Sequence, residues 1–132
     1  MTDGKTEPMY RKVCVGMLDK YARVDPGNAK QCMMELPDER FTFSHVWLQA
    51  RCTEFIAASD TRKYASAMLE DGTGSLLALC GDHEALFVPG KYLMVLGRLV
   101  KSAAMNNAWV VRPYKVVGLQ SKILFHHYCI YL

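Results

Sequence analysis

The sequence predicts an all-β chain, with five strands closing into a Greek-key barrel behind an N-terminal helix. Three observations predict it. Between Val46 and Leu119, apolar residues recur with period two or in short unbroken runs, as they do in strands. Turn signals, Asp71-Gly72 and Asn106-Asn107 among them, separate these runs, and both pairs tolerate positive φ. One stretch, LFVPGKYLMVLGRLV from Leu86 to Val100, is apolar at nearly every position after its Pro-Gly turn. It is too short to cross a bilayer, which takes about 20 apolar residues, and it lacks the polar alternation of a surface strand. It reads as a strand covered on both faces.

The composition suits one globular domain. The chain has 132 residues, 51% of them hydrophobic and 22% charged, enough to bury a core. Sixteen Lys and Arg against thirteen Asp and Glu give a net charge of +3, with no basic run longer than two; a dedicated nucleic-acid binder usually carries a basic cluster. The five cysteines, at 14, 32, 52, 80 and 129, are scattered without CxxC spacing. They read as reduced core thiols of a nuclear or cytosolic protein rather than a disulfide framework or zinc ribbon. The polar N-terminus, MTDGKTEP, has no signal-peptide core. There is no G-x-S-x-G, P-loop or nucleophile–base pair, so the expectation is a protein without catalysis, cofactor or metal.

Three segments follow. In residues 1–45, an arm and linker, Tyr10, Val13, Cys14, Met17, Tyr21 and Val24 fall three or four apart. That spacing predicts a helix over 8–24, opened by Pro8 and ended by Asp25-Pro26-Gly27. Residues 46–119 form the barrel. VWLQARCTEF (46–55) alternates strictly, KYASAMLED (63–71) and SLLALC (75–80) flank the DGTG hairpin, and GDHEALFVPG (81–90) connects with one helical turn at most. KYLMVLGRLV (91–100) is the fourth strand and WVVRPYKVVGL (109–119) the fifth, where Pro113 predicts a bulge or an edge. A meander of three strands, a connection, then two more strands is the plan of an OB-type barrel. Residues 120–132 form an apolar tail. In it, His126, His127 and Cys129 lack a fourth ligand and read as packing rather than a zinc site.

VWLQARC (46–52), LEDGTGSL (69–76), VPGKYLMVLG (88–97) and YKVVGL (114–119) occur in this order. Together they resemble the RecQ-mediated genome instability protein 2 family, most specifically in the ten residues from Val88 to Gly97. The resemblance covers roughly 46–119, more weakly the N-terminal helix, and fails in the tail, where relatives continue into a longer helix. It implies a non-catalytic OB-fold adaptor in the nucleus. The adaptor would bind and stabilise a larger OB-fold subunit resembling RecQ-mediated genome instability protein 1. Through that subunit it would join topoisomerase III and a Bloom-type RecQ helicase in double Holliday junction dissolution.

Alternation on the fourth strand sends Leu93, Val95 and Leu99 inward and Tyr92, Met94 and Leu96 outward. A contiguous outward apolar patch calls for a cover: either the chain's own terminal segments or a second chain. The resemblance implies a second chain. Gly97 reads either as a barrel-corner glycine or as a place where another backbone comes close. Trp47 is an expected partner anchor, and the resemblance implies a polar partner contact at Lys115. An alternative face pairs Trp109 with Arg51 and Arg112, since rings beside Arg suit single-stranded nucleic acid. A small subunit of a replication protein A-like or telomere-capping assembly is a further alternative. Direct DNA binding is expected to be weak or absent.

Overall fold

In a computed structural model, which describes residues 10–61 and 63–119, five strands pair in a ring. They are preceded by β1 (Tyr10–Lys12), α1 (Val15–Tyr21), β2 (Ala22–Asp25), β3 (Asn28–Glu35) and β4 (Arg40–Phe43). The ring consists of β5 (His45–Ile56), β6 (Ser66–Glu70), β7 (Ser75–Leu79), β8 (Tyr92–Ser102) and β9 (Ala108–Leu119). β5 pairs with β6, β6 with β7, β7 with β9, β9 with β8, and β8 with β5. Only the β7–β9 contact is parallel, through Leu77↔Val110 and Ala78↔Val111. That order is the Greek-key barrel the strand pattern predicts.

Two irregularities close the ring. β5 serves β8 with residues 45–51 and β6 with residues 51–56, and its register shifts between Cys52 and Glu54. The extra residue bends β5 from one neighbour to the other. The second shift lies in β8–β9, where Leu96 faces Lys115 but Gly97 faces Pro113, leaving Tyr114 as the bulged residue. Pro113 therefore sits at a bulge, as its missing N–H requires. A Cβ on Gly97 would collide with the Arg112 carbonyl oxygen and lie 2.9 Å from Pro113 Cα. The backbone that approaches Gly97 is thus the chain's own β9.

The barrel core is filled by inward residues of alternating strands: Val46, Leu48 and Ala50; Leu69; Ala78; Leu93 and Val95; and Val111, all fully buried. The turn between β8 and β9 uses Asn106 and Asn107 at φ 58° and 62°, and the 81–90 connection holds a 3-10 turn at Gly81–Leu86.

The N-terminal segment departs from its periodicity. The single helix expected over 8–24 is a strand, a seven-residue helix and a second strand within the described residues. Asp25-Pro26-Gly27 does not end the helix; it turns β2 into β3, with the Gly27 N–H donating to Asp25 Oδ1 at 2.9 Å. The reason is tertiary. β1 pairs in parallel with the start of β5, Tyr10↔His45 to Lys12↔Trp47, and the Val13 N–H extends this to the Trp47 carbonyl. Beyond the helix, Ala22 and Val24 pair with Met34 and Cys32 in the sheet β2–β3–β4. Strand pairing overrides the weak local preference.

A helix this short has no stability of its own; the β6–β7 hairpin holds it. Asp71 is only 3% exposed. Its Oδ2 accepts the Val15 N–H at 2.7 Å, and its Oδ1 accepts the Thr73 N–H at 2.9 Å. The Thr73 hydroxyl oxygen accepts the Gly16 N–H at 2.9 Å. Two residues of the DGTG turn thus take the first amides of α1, and Cys14 supplies no side-chain cap. Gly16 is mandatory there, because a Cβ would lie 2.7 Å from the Thr73 carbonyl oxygen.

Asp71→Ala should therefore leave the Val15 amide buried without an acceptor, at a cost of about 1–3 kcal/mol. A thermal melt should show a lower midpoint, and hydrogen exchange should show Val15 and Gly16 losing protection before the barrel strands. Unchanged protection at those amides would rule out the hairpin as their anchor.

Candidate partner-binding face

The outward residues of β5, β8 and β9 line up in rows because the strands are in register. Trp47, Leu96 and Lys115 form one row; Gln49, Met94 and Val117 the next; and Arg51, Tyr92 and Leu119 the third. All five residues singled out for partner contact, Trp47, Tyr92, Met94, Leu96 and Lys115, thus lie on one three-stranded face. Trp47, Tyr92, Met94 and Leu96 are half-buried in the single chain, and Lys115 is exposed. Tyr92 also packs against the core.

Cations border the apolar centre. Lys12 Nζ lies 4.7 Å from the Trp47 ring centroid, a cation–π arrangement supplied by β1. Lys115 makes no ion pair with any described residue. Gln49 is a residue the sequence pattern placed on this face without singling it out. Its Oε1 is buried and meets no donor among the described residues, an arrangement that normally costs about 1–3 kcal/mol. β8 is hydrogen-bonded to β9 along its length and to β5 from Tyr92 to Arg98, so Tyr92, Met94 and Leu96 offer side chains rather than a strand edge.

The bulge beside Lys115 is held by His45. This imidazole is 8% exposed, with Nε2 2.8 Å from the Tyr114 hydroxyl and Nδ1 2.6 Å from the Ser44 hydroxyl. Burial, and secondarily the Arg98 guanidinium, push its pKa below the ordinary 6.5.

The alternative nucleic-acid residues are not brought together. Arg51 sits opposite Tyr92 at the start of β8, and Trp109 opposite Lys101 at its end. Arg51 lies 3.8 Å from Glu70. Trp109 is 5% exposed, with Lys101 Nζ 4.4 Å from its ring centroid, so the ring offers no open face to a base. Arg112 is exposed on β9.

Among the described residues Cys32, Cys52 and Cys80 are buried free thiols, and Cys14 is buried as well. Burial pushes the Cys32 and Cys80 pKa values up to about 11, and a thiol held protonated is a poor nucleophile and metal ligand. The His126–His127–Cys129 group lies outside the described residues. Among the described residues no helix is long and apolar enough to cross a membrane.

The family model of RecQ-mediated genome instability protein 2 matches residues 11–128. No curated protein matches the chain. Among solved structures, one similar chain belongs to a replication protein A heterotrimer bound to ssDNA. It is 15% identical with a TM-score of 0.64, covering 92% of this chain and 89% of that one. Another belongs to the S. pombe Stn1-Ten1 complex, at 9% identity and a TM-score of 0.66, covering 97% of this chain and 88% of that one. At these identities the likeness concerns the fold, and that fold is the OB barrel.

Because the folded state holds His45 less readily protonated than the unfolded chain does, stability should be complete above pH 6.5 and decline as pH falls through it. Denaturant unfolding at about pH 7.5 and about pH 5.5 should show the loss, and His45→Asn should reduce it. An equal pH dependence in the variant would place the titrating group elsewhere.

Proposed function

The chain belongs to the RecQ-mediated genome instability protein 2 family, and we propose that it is a non-catalytic OB-fold adaptor. It binds and stabilises a larger OB-fold subunit resembling RecQ-mediated genome instability protein 1. In the nucleus, that subunit links it to topoisomerase III and a Bloom-type RecQ helicase for double Holliday junction dissolution, recombination and genome stability. The observation that carries this reading is the row Trp47–Leu96–Lys115 above Met94 and Tyr92. An aromatic anchor, an aliphatic ridge and a lysine with no ion pair among the described residues share one face, and β8 at its centre has both edges taken from Tyr92 to Arg98. The replication protein A and Stn1-Ten1 chains are themselves parts of named assemblies, which supports a role as a subunit.

The contact works through desolvation. Apolar atoms of Tyr92, Met94 and Leu96 leave water together, which supplies the association free energy at roughly 25 cal/mol per Å². Lys115, at the border, selects a partner carrying an acceptor opposite it, because an unmatched buried charge is costly. The Lys12 ammonium on Trp47 adds positive character, so a complementary partner presents acidic groups around an apolar centre.

Co-expressed with the partner barrel, the chain should form a one-to-one heterodimer burying more than about 1,000 Å²; alone it should self-associate or be poorly soluble. Lys115→Ala should lose about 2–5 kcal/mol of binding while its thermal midpoint stays near wild type. Leu96→Asp should lose association and some stability. Wild-type affinity in Lys115→Ala would remove that lysine from the interface. A monomer indifferent to the partner barrel would sink the whole reading.

The buried Trp109 ring and the net charge of +3 set the expectation for DNA. Single-stranded DNA should bind no tighter than about 10⁻⁴–10⁻⁶ M at physiological salt, with steep loss on adding salt. Sub-micromolar, salt-resistant binding would favour a stacking surface instead.

A further inference from the structure

Around the barrel from the β5–β8–β9 face, the outer sides of β6 and β7 floor a groove. Two adjoining cavities of about 570 and 290 Å³ share Tyr64 and Leu79. Met68 of β6 and Leu79 of β7 point outward by strand alternation and form the floor. Met105, 44% exposed, comes from the β8–β9 turn, and Lys63 and Tyr64 from the β5–β6 connection, with Tyr64 57% exposed. Arg112 of β9 lines the far end. Among the described residues the lining holds two cations, Lys63 and Arg112, and no carboxylate, and neither cation is in an ion pair.

The chemistry narrows the occupant. β6 is hydrogen-bonded along its whole length to β5 on one edge and β7 on the other, so the Met68 part of the floor cannot accept an added strand. A ligand must present side chains to it. The floor is methionine and leucine, which adapt to apolar side chains of varied shape but offer no flat ring to a base. Among the described residues Tyr64 is the one aromatic ring in the lining, and two cations are few for tracking a phosphate backbone. Apolar floor and cationic ends match an amphipathic segment with acidic flanks.

We infer that this groove docks an acidic amphipathic helix of a partner protein. Its large apolar residues sit on Met68 and Leu79, and its carboxylates meet Lys63 and Arg112. The groove shares no residue with the β5–β8–β9 face and the inference does not rest on that reading. Both faces can be occupied at once, so one small barrel joins two proteins.

The test uses the full chain and a fluorescein-labelled peptide of about 15 residues, with Leu at i and i+4, Phe at i+7 and glutamate at most other positions. Its counterpart carries lysine in place of glutamate. Anisotropy titration should show saturable binding of the glutamate peptide only. Lys63, Tyr64 and Arg112 are exposed, so their variants should keep the fold. The Lys63→Glu/Arg112→Glu double variant should lose the glutamate peptide by about tenfold or more and gain the lysine peptide. Tyr64→Ala should weaken binding, and Lys115→Ala should leave it unchanged. Absence of saturable binding, equal affinity for the two peptides, or indifference to the double variant would overturn the inference. So would an oligothymidylate that binds more tightly than the peptide and depends on Tyr64, because the groove would then be a nucleic-acid site.

Discussion

β8 is the strand on which the rest of the molecule depends, because from Tyr92 to Arg98 it spends both hydrogen-bonding edges inside the chain. Pairing with β5 on one side and β9 on the other closes the ring. With β8 buried between them, its inward residues Leu93 and Val95 complete the core. At Gly97 the β9 backbone leaves no room for a Cβ. The same closure decides what kind of recognition remains. A stretch with both edges taken cannot recruit another strand, so Tyr92, Met94 and Leu96 are open to contact only by packing side chains. Such a surface gives shape-specific association and avoids the edge-to-edge aggregation that an open strand invites.

The N-terminal segment is joined to this ring at two places of different character. β1 extends the sheet beside β5 and sets Lys12 over Trp47, so it shapes the candidate interface directly. α1 is fixed from the opposite direction, by a carboxylate and a hydroxyl in the β6–β7 turn. A single buried Asp71 therefore shapes its own hairpin and anchors a helix 56 residues earlier in the chain. The exposed Arg23–Glu35 pair at 2.8 Å in the small sheet contributes little by comparison, since surface ion pairs are worth about 0–1 kcal/mol.

His45 connects these themes. It begins β5, pairs across to Arg98, and bonds the bulged Tyr114 next to Lys115. A neutral imidazole serves there because the site is buried and already has a guanidinium nearby. The geometry of the face at Lys115 thus depends on an imidazole that burial and Arg98 hold in its neutral form more firmly than in the unfolded chain.

Local pattern alone determined the barrel strands. Strict alternation in 46–55, the Asp-Gly hairpin at 71–72, the doubly apolar run through 92–100 and the Asn-Asn turn each act over a few residues, and each appears where the pattern puts it. Pro113 announced a bulge or an edge, because a residue without an N–H has few places in a sheet, and it sits at a bulge. Strand parity also placed Tyr92, Met94 and Leu96 on one outward face. It could not place Trp47 and Lys115 opposite Leu96, because cross-strand register is set by the bulges and by closure. Tertiary structure alone decided the N-terminal segment. Its helical spacing was real, but β3, NAKQCMME, has no β-branched residue to announce a strand. The pairings that make β1 and β2 strands lie with residues up to 35 positions away in register, from Tyr10 to His45. Burial of Trp109, the reach of Asp71 to Val15 and the groove between Tyr64 and Met105 arise the same way. Each joins residues far apart in sequence, and no local period records which distant partner a side chain will meet.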